Sequence, residues 1–593
     1  MSLSKAEFEI LNYFRKTRNV TQRIISEEFS ISLGKVNKVI KELKDKKLID
    51  VLDNGYELSS TGLEALEPYK VNNAIIMAAG MSSRFAPLSY ERPKGLLNVK
   101  GDILIEREIR QLKEAGITDI TVVVGYMKEK FFYLEDKFGV KIVVNEDYYQ
   151  YNNTSTLIRV LDKLQNTYIC SSDNYFVDNV FEPYVYRGYY SAVYAPGETD
   201  EYCLTTDPRG RITKVTVGGC NSWYMLGHVY FDREFSEKFK EILTREYEAL
   251  ETKQHLWEDL YAKHIDELSL YIREYDADKV LEFDSLEELR SFDQEYINNA
   301  DSTILKNICR ILKCEMKDIV DVKAIKAGLT NTSFQFKLRG ESYVYRHPGN
   351  GTEKYINRKS EAFSMGVAAK LGLDDTFIYM DENEGWKISR FITNARELDY
   401  NNRAEVDVAL KMMNKLHKSN IISEYDFGIW NKTEEFIKKL DEIGKSDFED
   451  FKNLYSKMTE LKDIALNDGY ANKCLCHNDC YSPNFLLDDE NKMYLIDWEY
   501  SGNDDPASDL GTFICCSEYK YEEAIEIIKM YLGKEPDEKE LAHYIAYVAI
   551  ASYYWYIWAL YQETRGNSVG EWLYMWYKNA KLYYQEAMNL FNK

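Results

Sequence analysis

The sequence predicts a multidomain protein that combines α/β and α+β folds, and three observations support this prediction. The chain has 593 residues, which is more than one hydrophobic core usually serves, so several domains are expected. Short apolar strands alternate with helices between residues 73 and 292, as is typical of a layered α/β sheet. Residues 302–593 begin with hairpin-like strands and end almost wholly helical. This asymmetry indicates a small β-rich lobe followed by a large helical lobe.

Composition and charge narrow the class of protein. Apolar residues make up 45% and charged residues 29% of the chain, which describes an ordinary folded protein. The net charge of −23 disfavours binding of the whole chain to nucleic acid or anionic lipid. Residues 1–70 are an exception because their charges nearly cancel. The uncharged run at 545–561 is shorter than the roughly 20 apolar residues that a membrane span needs, so we predict no membrane segment.

The N-terminus and the cysteines predict a cytoplasmic location. The start "MSLSKAEFEILNYF" is amphipathic and acidic, unlike a secretory signal, and the ten cysteines suit a reducing compartment. Cys474, Cys476 and Cys480 surround His477, where a zinc site is conceivable. We interpret the alternation in "CLCHND" instead as a strand that places thiols in a core.

Residues 1–68 form the first predicted domain. Thr21 and Ser32 are predicted to cap two helices, and Asn54-Gly55 lies between two strand-like runs, which indicates a hairpin. Helix, capped helix, basic helix and β-wing together resemble a winged helix-turn-helix. The resemblance implies that the basic helix faces a DNA major groove through Lys35, Asn37, Lys38 and Lys41. The alternative is a protein docking module, including one that forms a homodimer.

Residues 73–296 form the second predicted domain, which opens with the strand-like "NAIIMAAG" and a glycine turn. Backbone N–H groups in such a turn form an anion nest, so we expect Ala79, Gly80, Ser82 and Ser83 to hold phosphates. Arg84 and Lys94 can then neutralise a triphosphate and the departing pyrophosphate.

The combination G-x-S-S-R-F plus P-K-x-L resembles the nucleotidyltransferases that make nucleoside-diphosphate sugars and CDP-alcohols. The resemblance implies a Rossmann-like sheet with helices on both faces, with Asp173 and Asp284 as Mg²⁺ ligands. It also implies that Asn152 and Asn153 in "YNNTST" lie near the acceptor. The alternatives are a surface acidic pair and capping asparagines. Ser172 departs from the family, which has glycine before the first metal-binding aspartate.

Residues 302–593 form the third predicted domain, in which "HNDCYSPNF" and "LIDWEYSG" have the spacing that phosphoryl transfer needs. They resemble the choline/aminoglycoside kinase branch of the bilobal protein-kinase-like fold. The resemblance implies that Asp479 accepts the hydroxyl proton, while Asn484 and Asp497 hold Mg²⁺. It further implies the following supporting residues: a nucleotide loop with Thr330, Asn331 and Ser333, a phosphate clamp at Arg346 paired with Glu361, and loop supports at His477 and Asp509.

The aromatic stretch "SYYWYIWALY" at 552–561 resembles the aromatic helix of choline kinases. A quaternary ammonium donates no hydrogen bonds, so ring faces and a nearby carboxylate must hold it. We therefore predict a choline pocket built from Trp498, Glu499, Trp555, Trp558, Tyr574 and Tyr577. The alternative is that the tryptophans are core residues, as we predict for Tyr553.

A second predicted cage lies in the middle domain, where Tyr190, Trp223, Trp257 and Glu258 loosely match bacterial CTP:phosphocholine cytidylyltransferases. The whole chain then resembles a fusion of a winged helix, such a cytidylyltransferase and a choline kinase. The fusion implies CDP-choline synthesis from choline through phosphocholine, with ATP and CTP as co-substrates and Mg²⁺ as cofactor, for decoration of surface glycans. Two alternatives stay open: the same chemistries on ethanolamine or a sugar with another nucleotide, or a DNA-binding regulator that senses choline metabolites.

Overall fold

The computed structural model describes residues 2–18, 20–53, 55–82, 85–283, 285–293, 302–325, 332–349, 356–446, 449–566 and 568–593. The chain divides into two compact units, Met1–Lys306 and Asn307–Lys593. The predicted winged helix and the predicted nucleotidyltransferase domain lie in the first unit, and most of the predicted kinase-like domain lies in the second. The multidomain α/β and α+β architecture predicted from the sequence is confirmed.

The winged helix follows its local sequence closely. The Thr21 hydroxyl accepts a hydrogen bond from the Ile24 backbone and begins the helix Gln22–Glu28. Ser32 caps the basic helix Leu33–Asp45 in the same way. The strands Ile49–Leu52 and Gly55–Leu58 pair antiparallel, which confirms the hairpin.

The core of the winged helix includes residues from the nucleotidyltransferase. Tyr184 is buried in this core, and Tyr186 packs against it. The Tyr69 and Tyr186 rings stack with centroids 5.8 Å apart, and the Val185 N–H donates to the Tyr69 carbonyl at 2.9 Å. Because apolar area is removed from water on both sides, this contact fixes the winged helix on its neighbour.

The nucleotidyltransferase is built on a seven-stranded sheet. In spatial order its strands are Tyr271–Tyr275, Tyr189–Thr206, Ile212–Phe231, Thr167–Ser171, Asn73–Ala78, Ile120–Val124 and Lys141–Val144. The last four are mutually parallel, and their buried apolar runs match what a parallel sheet covered on both faces requires. The long pair 189–206 and 212–231 is antiparallel, so the sheet is mixed. The carboxyl ends of the parallel strands carry the glycine turn and Asp173.

The second unit starts with a five-stranded antiparallel sheet and continues into helices. The predicted hairpin is confirmed, since Thr332–Leu338 pairs in register with Glu341–His347. The helical core is centred on Glu538–Thr564, whose residues 545–559 are all buried. This burial on every side explains why the helix lacks a polar face. Within the part of the chain that the structure describes, no helix is long and apolar enough to cross a membrane.

The remaining elements of the first unit connect those already given. Its other α-helices are Lys5–Lys16, Ser60–Leu66, Leu88–Glu91, Leu104–Glu114, Tyr133–Phe138, Thr154–Ile158, Arg233–Glu246, Leu250–Gln254, Trp257–Lys263 and Leu286–Phe292. Its short strands are Asn98–Val99, Asp102–Ile103, Asn174–Phe176 and Val280–Glu282. The helix Thr303–Leu312 spans the division between the units.

The remaining elements of the second unit alternate before the helical lobe. Its other strands are Ile319–Ile325, Phe377–Met380, Lys387–Arg390, Arg396–Glu397, Cys474–Cys476, Phe485–Leu487, Met493–Leu495 and Gly502–Asp504. Its other α-helices are Arg358–Leu371, Arg403–His417, Ile429–Glu442, Glu449–Asn467, Pro506–Cys515, Tyr521–Leu532 and Trp572–Phe591. The buried strand Cys474–Cys476 confirms that these thiols belong to a core.

Candidate active sites

A cavity of about 210 Å³ lies at the carboxyl ends of the parallel strands in the first unit. It brings together residues that are far apart in sequence and that we predicted for nucleotide, metal and acceptor binding: Ala79, Gly80, Ser82, Lys94, Asn152, Asn153 and Asp173. Ligands of open α/β sheets bind at this edge. Tyr148, Tyr151 and the buried Asn145 also line the cavity, and the sequence analysis did not select them.

Lys94 lies at the centre of this cavity and is buried. Its Nζ is 2.9 Å from an Asp173 oxygen and 3.4 Å from an oxygen of Glu282. Glu282 was not predicted, although it precedes the selected Asp284 by two residues. Two carboxylates around one buried ammonium form a site that a phosphate can enter by exchanging partners with the lysine.

Ser172 replaces the family's glycine without leaving space unfilled. It is buried, and a Cβ atom on Gly95 would lie 2.6 Å from the Ser172 hydroxyl oxygen and 2.9 Å from its carbonyl. Gly95 directly follows Lys94, so the close approach that glycine allows occurs on the lysine loop. This contact sets Lys94 against Asp173.

A hydrogen-bonded carboxyl group, that of Glu258, lies next to the cavity, because it contacts the lining residue Asn153. Asn153 Nδ2 donates to Glu258 at 3.1 Å, and the Tyr190 hydroxyl donates to its other oxygen at 3.1 Å. Asn153 Oδ1 accepts from the Trp257 backbone N–H at 2.7 Å. Desolvation raises the pKa of the Glu258 carboxyl to about 7 despite these hydrogen bonds. Although Asn153 precedes the helix Thr154–Ile158, its side chain does not cap it.

The structure contradicts the predicted role of Trp257 as a wall of the second cage. Its side chain has no exposed surface, stacks on Tyr190 with centroids 5.7 Å apart, and packs edge-on against Phe231. The ring fills the core beneath Tyr190 and presents no face to a ligand. Trp223 instead lies on the antiparallel ribbon, where it contacts Tyr194 edge-on at 5.5 Å. The selected Ser83, Arg84 and Asp284 lie outside the described residues.

The predicted catalytic loop of the second unit is held in place by hydrogen bonds to its own side chains and to Asp509. Asn484 Nδ2 donates to an Asp479 carboxylate oxygen at 2.9 Å. His477 Nδ1 accepts from the Asp479 backbone N–H at 3.3 Å, and Nε2 bonds to the Ile496 carbonyl at 2.8 Å. The Asp509 carboxylate accepts from the backbone N–H groups of His477 and Asn478. The predicted supporting roles of His477 and Asp509 are confirmed.

Asp479 and Asp497 differ in their electrostatic surroundings. Burial, and then the negative charges of Asp497 and Glu499, raise the pKa of the Asp479 carboxyl well above its ordinary range. Burial also acts on Asp497, but Lys387 and Arg346 reverse its effect and lower the pKa of that carboxyl. One group can therefore hold a proton while its neighbour stays ionised, a division typical of acid–base and metal-binding pairs.

A buried ion network stands behind this pair. Arg346 and Glu361 are 2.5 Å apart, and Arg346 also reaches Asp497 at 3.3 Å. Arg358 bonds the other Glu361 oxygen at 2.8 Å, and Lys387 lies 3.5 Å from Glu361. The Arg346–Glu361 pair was predicted, but Arg358 and Lys387 were not. Lys387 is distant from Arg346 in sequence, and the sheet brings the two together as cross-strand neighbours.

Ser333 also faces this network through the sheet, because its strand pairs it with Arg346. Thr330 and Asn331, the other two residues selected for the nucleotide loop, lie outside the described residues. Glu499, which we predicted to face a cationic substrate, is buried and lies 4.0 Å from Arg346 and 3.9 Å from Arg358.

The predicted aromatic wall is assembled with different partners from those expected. Trp555 and Trp558 meet edge-on at 5.5 Å, and Trp555 also contacts Tyr500, the residue after Glu499. The ring from the last helix that reaches Trp555 is Trp576, at 5.9 Å, which the sequence analysis did not select. Tyr577 instead contacts Tyr556 and donates to Asp450, and Tyr574 is 62% exposed. Both tryptophans are more than nine-tenths buried.

The structure also contradicts the predicted role of Trp498 as a wall of the choline pocket. Its side chain has no exposed surface, its Nε1 donates to the Leu495 carbonyl at 2.9 Å, and its ring packs on His477. Asp497 has a left-handed backbone conformation (φ 62°), so its side chain points in a different direction from that of Trp498. Trp498 therefore supports the catalytic loop from inside the core, as Tyr553 does for its helix.

Three family models match successive segments of the chain. They are "Winged helix-turn-helix DNA-binding" at residues 3–50, "MobA-like NTP transferase domain" at 74–203 and "Choline/ethanolamine kinase" at 322–553. Their order is that of the three domains predicted from the sequence. The chain is accordingly an enzyme with two transferase domains.

Curated relatives match the two catalytic segments separately. A 2-aminoethylphosphonate cytidylyltransferase from Lancefieldella rimae is 36% identical over 229 residues, covering 38% of this chain and 93% of the relative. A choline-phosphate cytidylyltransferase from Streptococcus pneumoniae is 34% identical over 221 residues, covering 37% and 96%. Protein LicA from Haemophilus influenzae is 25% identical over 256 residues, covering 41% and 94%. The chain therefore belongs to the cytidylyltransferase family through its middle segment, which a winged helix-turn-helix domain precedes and a choline/ethanolamine kinase domain follows.

Proposed function

We propose that this chain makes CDP-choline in two steps, each catalysed by one of its units. The kinase domain would transfer the γ-phosphate of ATP to the hydroxyl of choline. The nucleotidyltransferase domain would then couple phosphocholine with CTP and release pyrophosphate. The observation that carries the proposal is that each unit brings together groups suited to its step: Asp479 with Asn484 and Asp497 in one, and Lys94 with Asp173, beside Glu258, in the other.

In the kinase step, the choline oxygen attacks the γ-phosphorus, ADP leaves, and the hydroxyl proton passes to Asp479. The raised pKa of Asp479 suits a group that must hold this proton after transfer. Asn484 fixes the orientation of the carboxylate. Arg346 and Lys387 supply positive charge for the nucleotide phosphates, and Glu361 holds Arg346 in place.

In the cytidylyl step, a phosphocholine oxygen attacks the α-phosphorus of CTP and pyrophosphate departs. Lys94 would neutralise charge that develops on the phosphates, which requires it to exchange Asp173 for the ligand. The Glu258 carboxylate would face the trimethylammonium group from beside Asn153, assisted by the Tyr190 ring.

Mg²⁺ suits the oxygen donors that the described residues offer at the two sites. Asn484 uses its amide nitrogen toward Asp479, which leaves the amide oxygen as the donor atom, and Asp497 is ionised and partly exposed. Asp173 offers a carboxylate in the transferase cavity. Hard oxygen donors are those that Mg²⁺ prefers, and the ion would supply charge neutralisation on the phosphates.

A different alcohol is the second candidate for the substrate. One relative is named for 2-aminoethylphosphonate, which carries a primary ammonium, and the kinase model is named for choline and ethanolamine together. A primary ammonium donates hydrogen bonds and suits carboxylates, whereas a quaternary ammonium needs ring faces. The clustering of Trp555, Trp558, Trp576 and Tyr500 favours choline. The CDP-choline so formed would serve as the donor for phosphocholine decoration of surface glycans, a reaction supplied from the cytoplasm.

The test is incubation of the full chain with choline, ATP, CTP and Mg²⁺, with phosphocholine and CDP-choline followed by mass spectrometry. Asp479→Asn should abolish phosphocholine formation while CDP-choline synthesis from added phosphocholine continues. Asp173→Asn should do the reverse. Loss of both activities in either variant, with an unchanged circular dichroism spectrum, would contradict the two-site proposal, and exclusive turnover of ethanolamine would favour the second candidate.

A further inference from the structure

A second cavity in the first unit lies between the winged helix and the nucleotidyltransferase. Its volume is about 500 Å³, and its walls come from the helix Lys5–Lys16, the segment 182–189 and the strand Tyr271–Tyr275. Tyr189 and Tyr271 begin strands that run in the same direction as Thr167–Ser171. The carboxyl end of that last strand leads to Asp173. The cavity is therefore at the opposite end of the sheet from the nucleotide loop and is distinct from the catalytic site.

The walls of this junction cavity are held together by aromatic packing. The Phe8 ring lies 5.1 Å from Tyr69 and 5.5 Å from Tyr186. The Leu3 N–H donates to the Tyr69 hydroxyl at 3.0 Å, and the Tyr186 hydroxyl donates to the Leu3 carbonyl at 3.2 Å. A cavity with fixed walls binds a ligand without first ordering the protein, which favours affinity.

Both signs of charge line the junction cavity: the cations are Lys5, Lys16, Arg187 and Arg273, and the anions are Glu9, Glu28 and Glu182. Two of the cations are already paired, since Arg273 bonds Glu182 at 2.8 Å and Lys5 lies 3.7 Å from Glu9. A polyanion such as a nucleoside triphosphate would meet three carboxylates here, which opposes its binding.

Arg187 is the group that points to a phosphate. Its guanidinium lies 3.3 Å above the centre of the Tyr271 ring, and one nitrogen donates to the Arg209 carbonyl at 3.2 Å. Among the described residues, no carboxylate lies within ion-pair distance of it. Stacking fixes the plane of the guanidinium while its remaining N–H groups stay available, the arrangement in which arginine binds phosphate bidentately.

The helix wall carries the complementary group. Glu9 and Tyr13 are one helical turn apart, and the Tyr13 ring meets Phe29 edge-on at 5.6 Å, next to Glu28. Carboxylates beside aromatic rings are what an alkylammonium needs. On the transferase wall of the junction cavity, Arg187 can therefore bind an anion. On the winged-helix wall, Glu9 and Glu28 beside aromatic rings can bind a cation.

We propose that the junction cavity is an effector site for a zwitterionic phosphorylated ammonium alcohol, the headgroup that phosphocholine and CDP-choline share. Its phosphate would bind Arg187 and Lys16, and its ammonium would bind Tyr13, Glu9 and Glu28. The choice of alcohol rests on the proposed function, whereas the site itself does not. Because Arg187 belongs to the nucleotidyltransferase whereas Lys16, Tyr13 and Glu28 belong to the winged helix, occupancy would stabilise the contact between the two domains.

The test is equilibrium dialysis of the full chain against radiolabelled phosphocholine, with CDP-choline titrated in a parallel experiment. Arg187→Ala should remove one equivalent of bound phosphocholine, and Lys16→Glu, on an exposed position, should weaken that equivalent about tenfold. Arg233→Ala is the matched control because Arg233 is 76% exposed and pairs only with its helix neighbour Glu237 among the described residues. Its binding should equal that of the unmodified chain. Amide exchange in residues 5–16 should slow on ligand addition.

The outcomes separate this inference from the proposed function. Unchanged stoichiometry in both Arg187→Ala and Lys16→Glu, with CDP-choline still produced, would overturn the effector site alone. Failure of the chain to bind either phosphocholine or CDP-choline would overturn it as well, and absence of CDP-choline synthesis in the same samples would identify failure of the proposed function. Displacement of labelled phosphocholine from the variant-sensitive site by CDP-choline at a lower concentration than by unlabelled phosphocholine would assign the site to the final product.

Discussion

Glu258 is a single residue whose surroundings make the nucleotidyltransferase sensitive to pH. Its pKa is raised to about 7 by desolvation, so the carboxyl is neutral below that pH and negative above it. Because only the carboxylate attracts a trimethylammonium group, we predict that the KM for phosphocholine falls as pH rises through 7. Glu258→Gln should show a high KM that does not vary with pH. Steady-state kinetics from pH 6 to 8.5 with saturating CTP would measure this.

The stability of the same unit provides the control for that prediction. A raised folded-state pKa means that the native protein binds more protons than the unfolded chain between pH 4.5 and about 7. The contribution of Glu258 is therefore present at low pH and lost as pH rises through 7. It amounts to about 3 kcal/mol, because the pKa rises from 4.5 to about 7 and each pKa unit corresponds to about 1.36 kcal/mol. Denaturant unfolding of Glu258→Gln should lack this loss. A KM profile in the variant that still falls through pH 7 would assign the titration to another group.

Glu361 carries the ion network of the kinase unit, and its removal should be costly. It is fully buried between Arg346 and Arg358. Burial alone would raise the pKa of its carboxyl, but the attraction of these cations is larger and lowers that pKa. Glu361→Ala would remove the buried carboxylate that both arginines bond, at about 3–5 kcal/mol of unfolding free energy. Chemical denaturation and the ATP KM would measure this. Cytidylyl transfer from added phosphocholine should be unchanged, and an equal loss there would show that the network supports more than one unit.

At the scale of the element, the helix Glu538–Thr564 combines a core role with a candidate pocket role. Trp555 contacts Tyr500, Trp558 and Trp576, and Tyr500 directly follows Glu499 in the chain. We predict that Trp555→Ala raises the choline KM about five- to thirtyfold, the equivalent of about 1–2 kcal/mol of cation–π energy. The ATP KM should stay near its original value. The reason is that ring contacts with the ammonium act equally in ground and transition states.

Two matched variants separate pocket from core. Trp555→Phe retains a ring face, so its choline KM should change little. Tyr553→Ala, on the same helix and buried, should lower the melting temperature without selecting between substrates, since a core cavity costs about 2–5 kcal/mol. Equal damage to choline and ATP kinetics in Trp555→Ala, together with a large melting shift, would favour the core interpretation.

At the scale of the whole molecule, the acidic chain carries one surface suited to nucleic acid. Lys35, Asn37, Lys38 and Lys41 are all exposed on the basic helix of the winged domain. If this helix binds DNA, affinity should fall steeply with salt, because each neutralised phosphate releases a counterion. Lys38→Glu should weaken binding further, whereas Lys238→Glu, exposed on the nucleotidyltransferase and paired with Glu234, should weaken it less.

Gel shifts with DNA from upstream of the chain's own gene would measure this over a range of ionic strength. Absence of any shift at low salt would favour the alternative of a docking module. The burial of Tyr184 in the core of the winged helix would then be part of that docking function. Homodimerisation, the other alternative, would appear in the sedimentation of the same samples.

The sequence by itself determined the local structure and the spacing of the candidate reacting groups. Helix caps at Thr21 and Ser32, the hairpin beside Gly55 and the alternating strands depend on neighbours in the chain. So do the phosphate turn and the spacing of Asp479, Asn484 and Asp497, because these motifs must present a few atoms in a fixed local geometry. Such features can be predicted without knowing what packs against them.

Only the tertiary structure decided which side chains are core and which are available to a ligand. Trp257 and Trp498 have the composition of pocket residues, yet neighbouring elements cover them completely. Trp576, Glu282 and Lys387 reach the sites from distant helices and strands, which no local pattern reveals. The same holds for the junction cavity, whose charges come from two domains. The physical reason is that burial and electrostatic surroundings depend on the whole packing arrangement, whereas backbone geometry depends mainly on adjacent residues.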